Sequence, residues 1–273
     1  MTMLDKKVCN TVFSNKSAQC CYICGQSPKD FNKLLTGKIK EGTTSYGIQP
    51  LHTYKGLFEC CIHISYRLTV QKWRITAAED KKKVQERKRK IQKICRDELG
   101  LIVDRPKPGG AGNSNDGNTA QTAFRLHEKF AEICGLDHEL VFRFHIIMVA
   151  LNCGFPLDRH KFEMYLRETG ELFVKLYNWY YMPVGLHVLL MHWKDQDEAV
   201  PLPDLWKTEE TGEGNNKFSR NFREDHARKD DRVHTMTDVF HRLCEAGDVL
   251  VSSMSVSERD KRRKRKNLLP EVI

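Results

Sequence analysis

The first residues in the chain that could do chemistry are two cysteines in the run Cys21-Tyr-Ile-Cys24. Two cysteines separated by two residues can place two thiolates on one metal ion from a single tight turn. A second half-site follows much later, in His187-Val-Leu-Leu-Met-His192. Its four intervening residues fall inside the three-to-five spacing that is common in Cys2His2 zinc sites. The pairing predicts one tetrahedral structural zinc on Cys21, Cys24, His187 and His192.

The distance between the half-sites indicates what such a zinc would hold. Residues 25 to 186 separate them, which is far too long for a small zinc finger. The metal would therefore close a large helical unit, and a structural zinc contributes on the order of 10 kcal/mol to folding. Histidines five apart lie about 140° apart around an ideal helix. One histidine must then lie at a distorted helix end, or the metal must sit off the helix terminus.

Other residues compete with this interpretation. Cys21 and Cys24 are two of ten cysteines in the chain, and the histidines could belong to an ordinary helix. Cys60, Cys61 and His63 could be alternative ligands, although cysteines on an apolar helix face more often belong to a core. The first residues lack the apolar segment of a secretory signal, so we expect reduced thiols rather than disulfides.

Composition limits the class of protein. The 273 residues are 40% hydrophobic and 30% charged, which is typical of a soluble globular protein able to bury a substantial core. No run of about 18 apolar residues occurs, so the sequence predicts no membrane span. The net charge of +9 favours a polyanionic partner, most commonly nucleic acid. A basic protein without such a partner remains the alternative.

Hydrophobic periodicity predicts a predominantly α-helical fold. The stripe Val84, Ile91, Cys95 and Leu99 indicates a helix over 77–99, with Gly100 as its C-cap. Further helices are predicted at 30–35, at 120–134, 138–152, 158–177, from Pro183 onward and at 237–244, and one or two helices are predicted within 54–73. Near the start, Leu4 and Val8 suggest the end of a strand. Residues 106–118 form a Gly- and Asn-rich loop without a phosphate-binding motif.

Two segments are strongly basic. Seven cations, from Lys81 to Lys90, surround the apolar stripe of the helix over 77–99, and they form either a solvated face or a phosphate-contacting face. The tail contains six consecutive cations, a run typical of a disordered nucleic-acid arm or a nuclear address. These are Lys261, Arg262, Arg263, Lys264, Arg265 and Lys266.

The run Glu213-Gly-Asn-Asn-Lys217, followed by Arg220, Phe222 and Arg223, resembles the last catalytic motif of one family. This family comprises the catalytic subunit of the V(D)J recombinase, the recombination-activating protein, and the Transib transposases. Its final acidic residue lies in Glu-x-x-Asn-Lys ahead of an Arg/Phe-rich helix, with a tryptophan shortly upstream, where Trp206 stands. The resemblance covers roughly residues 1 to 245.

The family also carries a Cys-x2-Cys and a distant His-x4-His that bind one zinc. The four residues named above match this pattern in order and spacing. The family's second catalytic aspartate lies shortly before its Cys-x2-Cys, and Asp5 occupies that position here. The resemblance implies an RNase H-like core in which three carboxylates hold two Mg²⁺ or Mn²⁺ ions for phosphodiester cleavage and strand transfer.

By this resemblance Asp5 and Glu213 would be catalytic residues that each hold a magnesium ion, and Lys217, Arg220 and Arg223 would contact DNA phosphates. Two departures from the family matter. The family's first aspartate and its nonamer-type DNA-binding region have no match here, because the sequence starts too late to contain them. The spacing from Trp206 is one residue longer than in the vertebrate subunit, so that Glu209 and Glu210 compete with Glu213, which alone stands in Glu-x-x-Asn-Lys.

The resemblance implies a zinc-stapled helical insert plus the C-terminal part of an incomplete RNase H-like (α/β) DDE core. Residues 1–12 would be a remnant of that core with the second catalytic Asp, 13–205 the zinc-binding helical insert, 206–245 the final core helices with the catalytic Glu, and 246–273 a basic disordered tail. The chain is then expected to be a nuclear, DNA-binding fragment of a DDE-type recombinase that cuts DNA poorly or not at all.

The alternative is a catalytically inactive, zinc-stabilised DNA- or partner-binding protein derived from such a transposase. The expected partners are DNA and, by resemblance, a second copy of the chain and an accessory recombinase subunit. Neither a membrane nor a small-molecule cofactor is expected.

Overall fold

A computed structural model of the chain describes residues 6–15, 17, 19–35, 37–45, 50–107, 112–153, 157–197 and 219–247. The chain divides into two compact units, one formed by Met1–Trp206 with Leu268–Ile273 and the other by Lys207–Asn267. Apart from an isolated bridge between Pro106 and Asn113, the described residues contain helices and loops without a β-strand. The predicted helical class is therefore confirmed.

The first unit is a helical assembly whose elements follow the apolar periodicity of the sequence. Its helices are α1 (Lys6–Val12), α2 (Pro28–Phe31), α3 (Pro50–Arg67), α4 (Ala78–Leu99), α5 (Gly117–Arg125), α6 (His127–Cys134), α7 (His138–Leu151), α8 (Arg159–Tyr177) and α9 (Val184–Asp197), with a 3-10 turn at Thr43–Ser45. None of the helices in the described residues is both long and apolar enough to cross a membrane.

Capping residues fix several of these boundaries. The side chains of Asp116, Asp137 and Asp158 accept hydrogen bonds from backbone N–H groups in the first turns of α5, α7 and α8. Each cap satisfies one of the N–H groups that a helix start leaves without a partner. Gly100 ends α4 in the left-handed conformation, with φ of 67°, which glycine adopts without strain. The predicted starts and ends of α4, α7 and α8 are thus confirmed to within a few residues.

The core of the first unit lies where α3, α5, α6 and α7 meet. Helix α7 is apolar around most of its circumference and buries eight of its side chains. Phe130 stacks on Phe58 of α3 at a ring-centroid distance of 5.6 Å. Phe124 meets Phe130 and Phe144 edge to face, an arrangement that aromatic pairs favour.

Arg87 of α4 ties two helix ends to this core. Its Nε donates to the carbonyl of Ser65 at 2.6 Å, and its Nη2 donates to the carbonyl of Cys134 at 3.1 Å. These carbonyls lie at the C-terminal ends of α3 and α6, where backbone acceptors lack partners within the helix. One guanidinium therefore fastens α4 to both helices.

Some local expectations were wrong. Residues 120–134 form two helices, because the backbone of Leu126 leaves the helical region, with φ of −103° and ψ of 39°. Lys6–Val12 is helical rather than the end of a strand. Of the one or two helices expected within 54–73, the structure has one, α3, which begins earlier at Pro50 and ends at Arg67.

In the second unit a π-helical turn (Phe222–His226) precedes α10 (Arg232–Gly247), which is longer than the predicted helix over 237–244. Arg228, in the loop between the turn and α10, forms a bidentate ion pair with Asp238 of α10, in which Nε and Nη2 donate at 3.0 and 2.9 Å. Hydrogen bonds from the Arg228 side chain and backbone hold the pKa of Asp238 well below its ordinary value.

Candidate metal centre

The four residues of the predicted zinc site come together in the first unit. One ligand atom from each of Cys21, Cys24, His187 and His192 lies within 4.8 Å of every other. Cys21 and both histidines are fully buried, while Cys24 is half-buried. The structure therefore assembles, from two distant segments, a Cys2His2 group that could hold a metal ion.

A tight turn aims the two thiols at one point. The backbone N–H of Cys21 donates to the carbonyl of Gln26 at 2.9 Å, and the N–H of Gly25 donates to the carbonyl of Cys21 at 2.8 Å. Gly25 has φ of 74°, a conformation that a residue with a Cβ adopts only with strain. Gly37 packs behind the turn, where a Cβ would lie 3.0 Å from the carbonyl oxygen of Cys24. The segment from Cys21 to Gly37 is thus closely fitted around Cys24.

Helix α9 supplies both histidines. His187 lies in its first turn and His192 further along, and their ring centroids are 5.2 Å apart in an edge-to-face arrangement. Both residues lie inside the helix, and the length of the imidazole side chains lets them converge. The ring of Phe31 stacks on His187 at 4.1 Å with an interplanar angle of 14°.

Asn32 fastens the start of α9 to the segment that carries the cysteines. Its Nδ2 donates to the carbonyls of Asn178 and Tyr180 at 3.1 and 2.9 Å, and its Oδ1 accepts from the N–H of Met182 at 3.0 Å. One amide side chain therefore holds the loop between α8 and α9 in place. The two half-sites are positioned by protein contacts in addition to any metal.

The distance between Cys24 and His187 fits a tetrahedral zinc. The Sγ of Cys24 and the Nε2 of His187 are 3.5 Å apart. Zn–S and Zn–N bonds of about 2.3 and 2.0 Å at a tetrahedral angle place sulfur and nitrogen about 3.5 Å apart. His192 Nε2 is buried and makes no hydrogen bond to any residue that the structure describes. A metal ion would give this nitrogen the partner that a buried polar atom requires.

Asp195 orients His192. Its Oδ2 lies 3.2 Å from Nδ1 of His192. A carboxylate only accepts hydrogen bonds, so Nδ1 carries the proton and Nε2 keeps its lone pair for a metal. Such a carboxylate behind a histidine ligand is common in zinc sites, where it fixes the tautomer and the ring orientation.

The electrostatics of the site favour the metal-binding forms of Cys24 and His187. The hydrogen bond between the two thiols separates their pKa values: the pKa of Cys24 lies well below its ordinary value, although burial opposes this, while the same hydrogen bond and burial raise the pKa of Cys21. The neighbouring imidazoles of His187 and His192 lower the pKa of Cys24 further. Burial lowers the pKa of His187. A thiolate and a neutral imidazole are the forms that bind zinc.

The competing ligands lie elsewhere. Cys60 and Cys61 are buried in the core, and burial raises the pKa of Cys61 to about 12 and that of Cys60 well above its ordinary value. These thiols are protonated packing residues rather than metal ligands. A second group, Asp230, Asp231 and His234, is exposed. Asp231 there accepts from the N–H of His234, so this group marks the start of α10.

Both predicted catalytic residues, and most of the predicted DNA-binding residues, are outside the described part of the chain. These are Asp5, Glu213, Lys217 and the six cations of the tail. Arg220 and Arg223 are described, and both are exposed. Arg220 pairs with Glu224 at 2.9 Å.

Phe31, Asn32, Gly37 and Asp195 support the site but were not identified from the sequence. Asp195 had a usable signal, since it follows His192 by three residues on a helix and therefore lies on the same face. The contacts of Phe31 and Asn32 with the α9 segment depend on how distant parts of the chain pack. No sequence pattern indicates them.

No protein-family model matches the chain, and no curated protein is similar to it at a significant level.

Replacing Asp195 by Asn should weaken zinc binding without unfolding the protein. The change removes the charge that supports His192, and loss of such an outer partner typically costs about 10–100-fold in metal affinity. Competition with a chromophoric chelator measures the effect. Asp158→Asn provides the matched control: it removes the same charge at the N-cap of α8, where asparagine caps a helix about as well as aspartate, and it should leave zinc affinity unchanged.

Proposed function

We propose that the chain is the zinc-stapled, DNA-binding part of a DDE-type recombinase, similar to the catalytic subunit of the V(D)J recombinase and the Transib transposases. The convergence of Cys21, Cys24, His187 and His192 carries this proposal. The same four residues, in the same order and spacing, form part of the resemblance to that family. Their meeting across a long helical segment supports the idea that the motif is functional.

The zinc has a structural task in this proposal. All four ligands belong to the protein, so that a tetrahedral site is closed and leaves no open position for a substrate. Helix α9, which carries the histidines, precedes the Glu213 motif in the chain, and the cysteines follow Asp5. The metal joins the segments that adjoin these two acidic residues.

The charge of the chain supports DNA as the partner. The net charge is +9, and phosphate neutralisation by lysine and arginine provides most of the affinity of proteins for DNA. The residues that would contribute to this affinity are Lys217, Arg220, Arg223 and the tail cations. We also propose a nuclear location, because six consecutive cations are typical of a nuclear address. A second copy of the chain and an accessory recombinase subunit are further partners proposed on the resemblance alone.

The resemblance also concerns the residues that would cleave DNA. The resemblance assigns two carboxylates to the metal-dependent chemistry, Asp5 and Glu213, which would hold Mg²⁺ or Mn²⁺ through hard oxygen ligands. The family's site uses three. We therefore propose that this chain binds DNA. Cleavage, by the resemblance, requires the third carboxylate as well. A catalytically inactive DNA- or partner-binding protein derived from such a transposase is the second candidate.

Salt dependence tests the proposed function. The protein should bind a short DNA duplex of arbitrary sequence, and the logarithm of its binding constant should fall linearly with the logarithm of salt concentration through counterion release. Deleting residues 258–273, which contain the six consecutive cations, should reduce both the affinity and this slope. Fluorescence anisotropy at several salt concentrations measures both quantities.

The matched control replaces the six cations by glutamine in the full-length chain, which keeps the length of the tail and removes only its charge. It should bind as weakly as the deletion variant. Absence of binding at low salt, or an affinity that does not change with salt, would contradict the proposed function.

A further inference from the structure

We propose that Lys82, Arg89, Lys93 and Arg96 of α4 form a phosphate-binding row that lies along one DNA strand. The inference rests on the proposed DNA-binding function, and it assigns part of that function to a particular helix face. We refer to these four side chains as the α4 row.

The nine cations of α4 differ in their partners and in their place around the helix, and the exposed Lys81 and Lys90 lie to either side of the row. Some already have partners: Lys83 pairs with Glu79 at 2.5 Å, Lys88 pairs with Asp104, and Arg87 donates to two helix-end carbonyls. The α4 row makes no ion pair or hydrogen bond with the residues that the structure describes, and its four side chains are exposed. The row is therefore available for an external anion.

The four residues are aligned along the helix. At 3.6 residues per turn they lie within about 60° of one another around the axis. Lys82 and Arg96 are separated by about 21 Å along the axis, which corresponds to about six phosphates of one DNA strand. A continuous row of cations on one side of a helix can thus follow one backbone.

The helix beneath the row is firmly held. Ile91 and Cys95, on the opposite side of α4, are buried in the core. Gln92 donates to the carbonyl of Val103 at 3.0 Å, and Arg87 fastens α4 to α3 and α6. A rigid helix presents its cations without the entropy cost of ordering a flexible segment on binding.

The chemistry of this face favours DNA over a membrane. Gln85 and Glu86 lie among or beside the cations, and the face contains no apolar residue. A helix that binds lipid surfaces needs an apolar face to bury in the acyl boundary, whereas phosphate contacts along DNA need only cations and polar groups. Glu86 and Asp97 at one edge of the row would repel phosphate and so confine the strand to the row.

The test compares two variants of equal net charge. The row variant carries Lys82→Gln, Arg89→Gln, Lys93→Gln and Arg96→Gln. The control variant carries Lys33→Gln, Lys72→Gln, Lys83→Gln and Lys161→Gln, which removes four exposed lysines that pair with carboxylates on the protein. Circular dichroism and zinc content should remain unchanged in both, because all the substitutions are on the surface.

The row variant should lose at least about tenfold in affinity for a short DNA duplex, and its salt slope should fall by up to about 3.6, at roughly 0.9 per phosphate contact. The control variant should retain a slope close to that of the unmodified protein. Equal losses in the two variants would overturn the inference, since they would show a general effect of net charge.

Two other outcomes are informative. If the unmodified protein fails to bind DNA, both the proposed function and this inference are wrong. If it binds DNA and the row variant binds equally well, only the inference is wrong. Phosphatidylserine vesicles are the second probe, and a defect of the row variant confined to vesicles would overturn the assignment to DNA.

Discussion

Replacing Cys24 by Ser should release the metal and unfold much of the helical unit. A serine hydroxyl is a poor zinc ligand at neutral pH, and three remaining ligands hold the ion far more weakly than four. Structural zinc contributes on the order of 10 kcal/mol to folding, and the whole stability of a domain is about 5–15 kcal/mol. The variant should therefore lose zinc on purification and melt at a much lower temperature.

Cys20→Ser is the matched control for this prediction. Cys20 adjoins Cys21 in the chain but does not belong to the Cys2His2 group. It should keep its zinc and its melting temperature. Metal analysis and thermal unfolding followed by circular dichroism would measure both variants. A Cys24→Ser protein that retains one zinc per chain and an unchanged melting temperature would show that Cys24 is not a ligand.

Phe31→Ala should cost about 3–5 kcal/mol of stability, which is typical for removing a buried aromatic ring, and should also weaken zinc binding. Phe31 is fully buried and stacks on His187 at 4.1 Å. Without it a cavity opens beside the ligand, and His187 can leave the orientation that directs Nε2 at the metal. Denaturant unfolding measures the first effect, and chelator competition under folding conditions measures the second.

Phe124→Ala separates the two effects. Phe124 is also buried, but it packs against Phe130 and Phe144 rather than against a zinc ligand. It should lower stability by a similar amount and leave zinc affinity unchanged. Equal zinc affinity in the Phe31 and Phe124 variants would contradict the positioning role of Phe31.

The part of the site that local sequence predicts well is the choice of ligands. Cys21 with Cys24, and His187 with His192, each form a pair whose spacing is set by one turn or one helix, so the metal chemistry can be read from a few adjacent residues. The meeting of the two pairs depends on Phe31 and Asn32, whose partners are more than a hundred residues away in the chain. Such contacts come from tertiary packing and have no local signal.

For the helices as well, local sequence predicts some boundaries, while others depend on tertiary packing. Asp137, Asp158 and Gly100 mark boundaries through hydrogen bonds or backbone conformations of their own residues, and the structure confirms them. The break between α5 and α6 at Leu126 could not be predicted from the local sequence, because no proline or glycine marks it and leucine is a good helix former. Packing of Phe124 and Phe130 into one core outweighs that local preference.

X-ray absorption at the zinc edge tests the central claim most directly, together with the metal content of the purified protein. We expect one zinc per chain, coordinated by two sulfur atoms at about 2.3 Å and two nitrogen atoms at about 2.0 Å. Folded protein without zinc, or a zinc bound by oxygen ligands or by four sulfur atoms, would contradict the assignment of Cys21, Cys24, His187 and His192 to one metal centre.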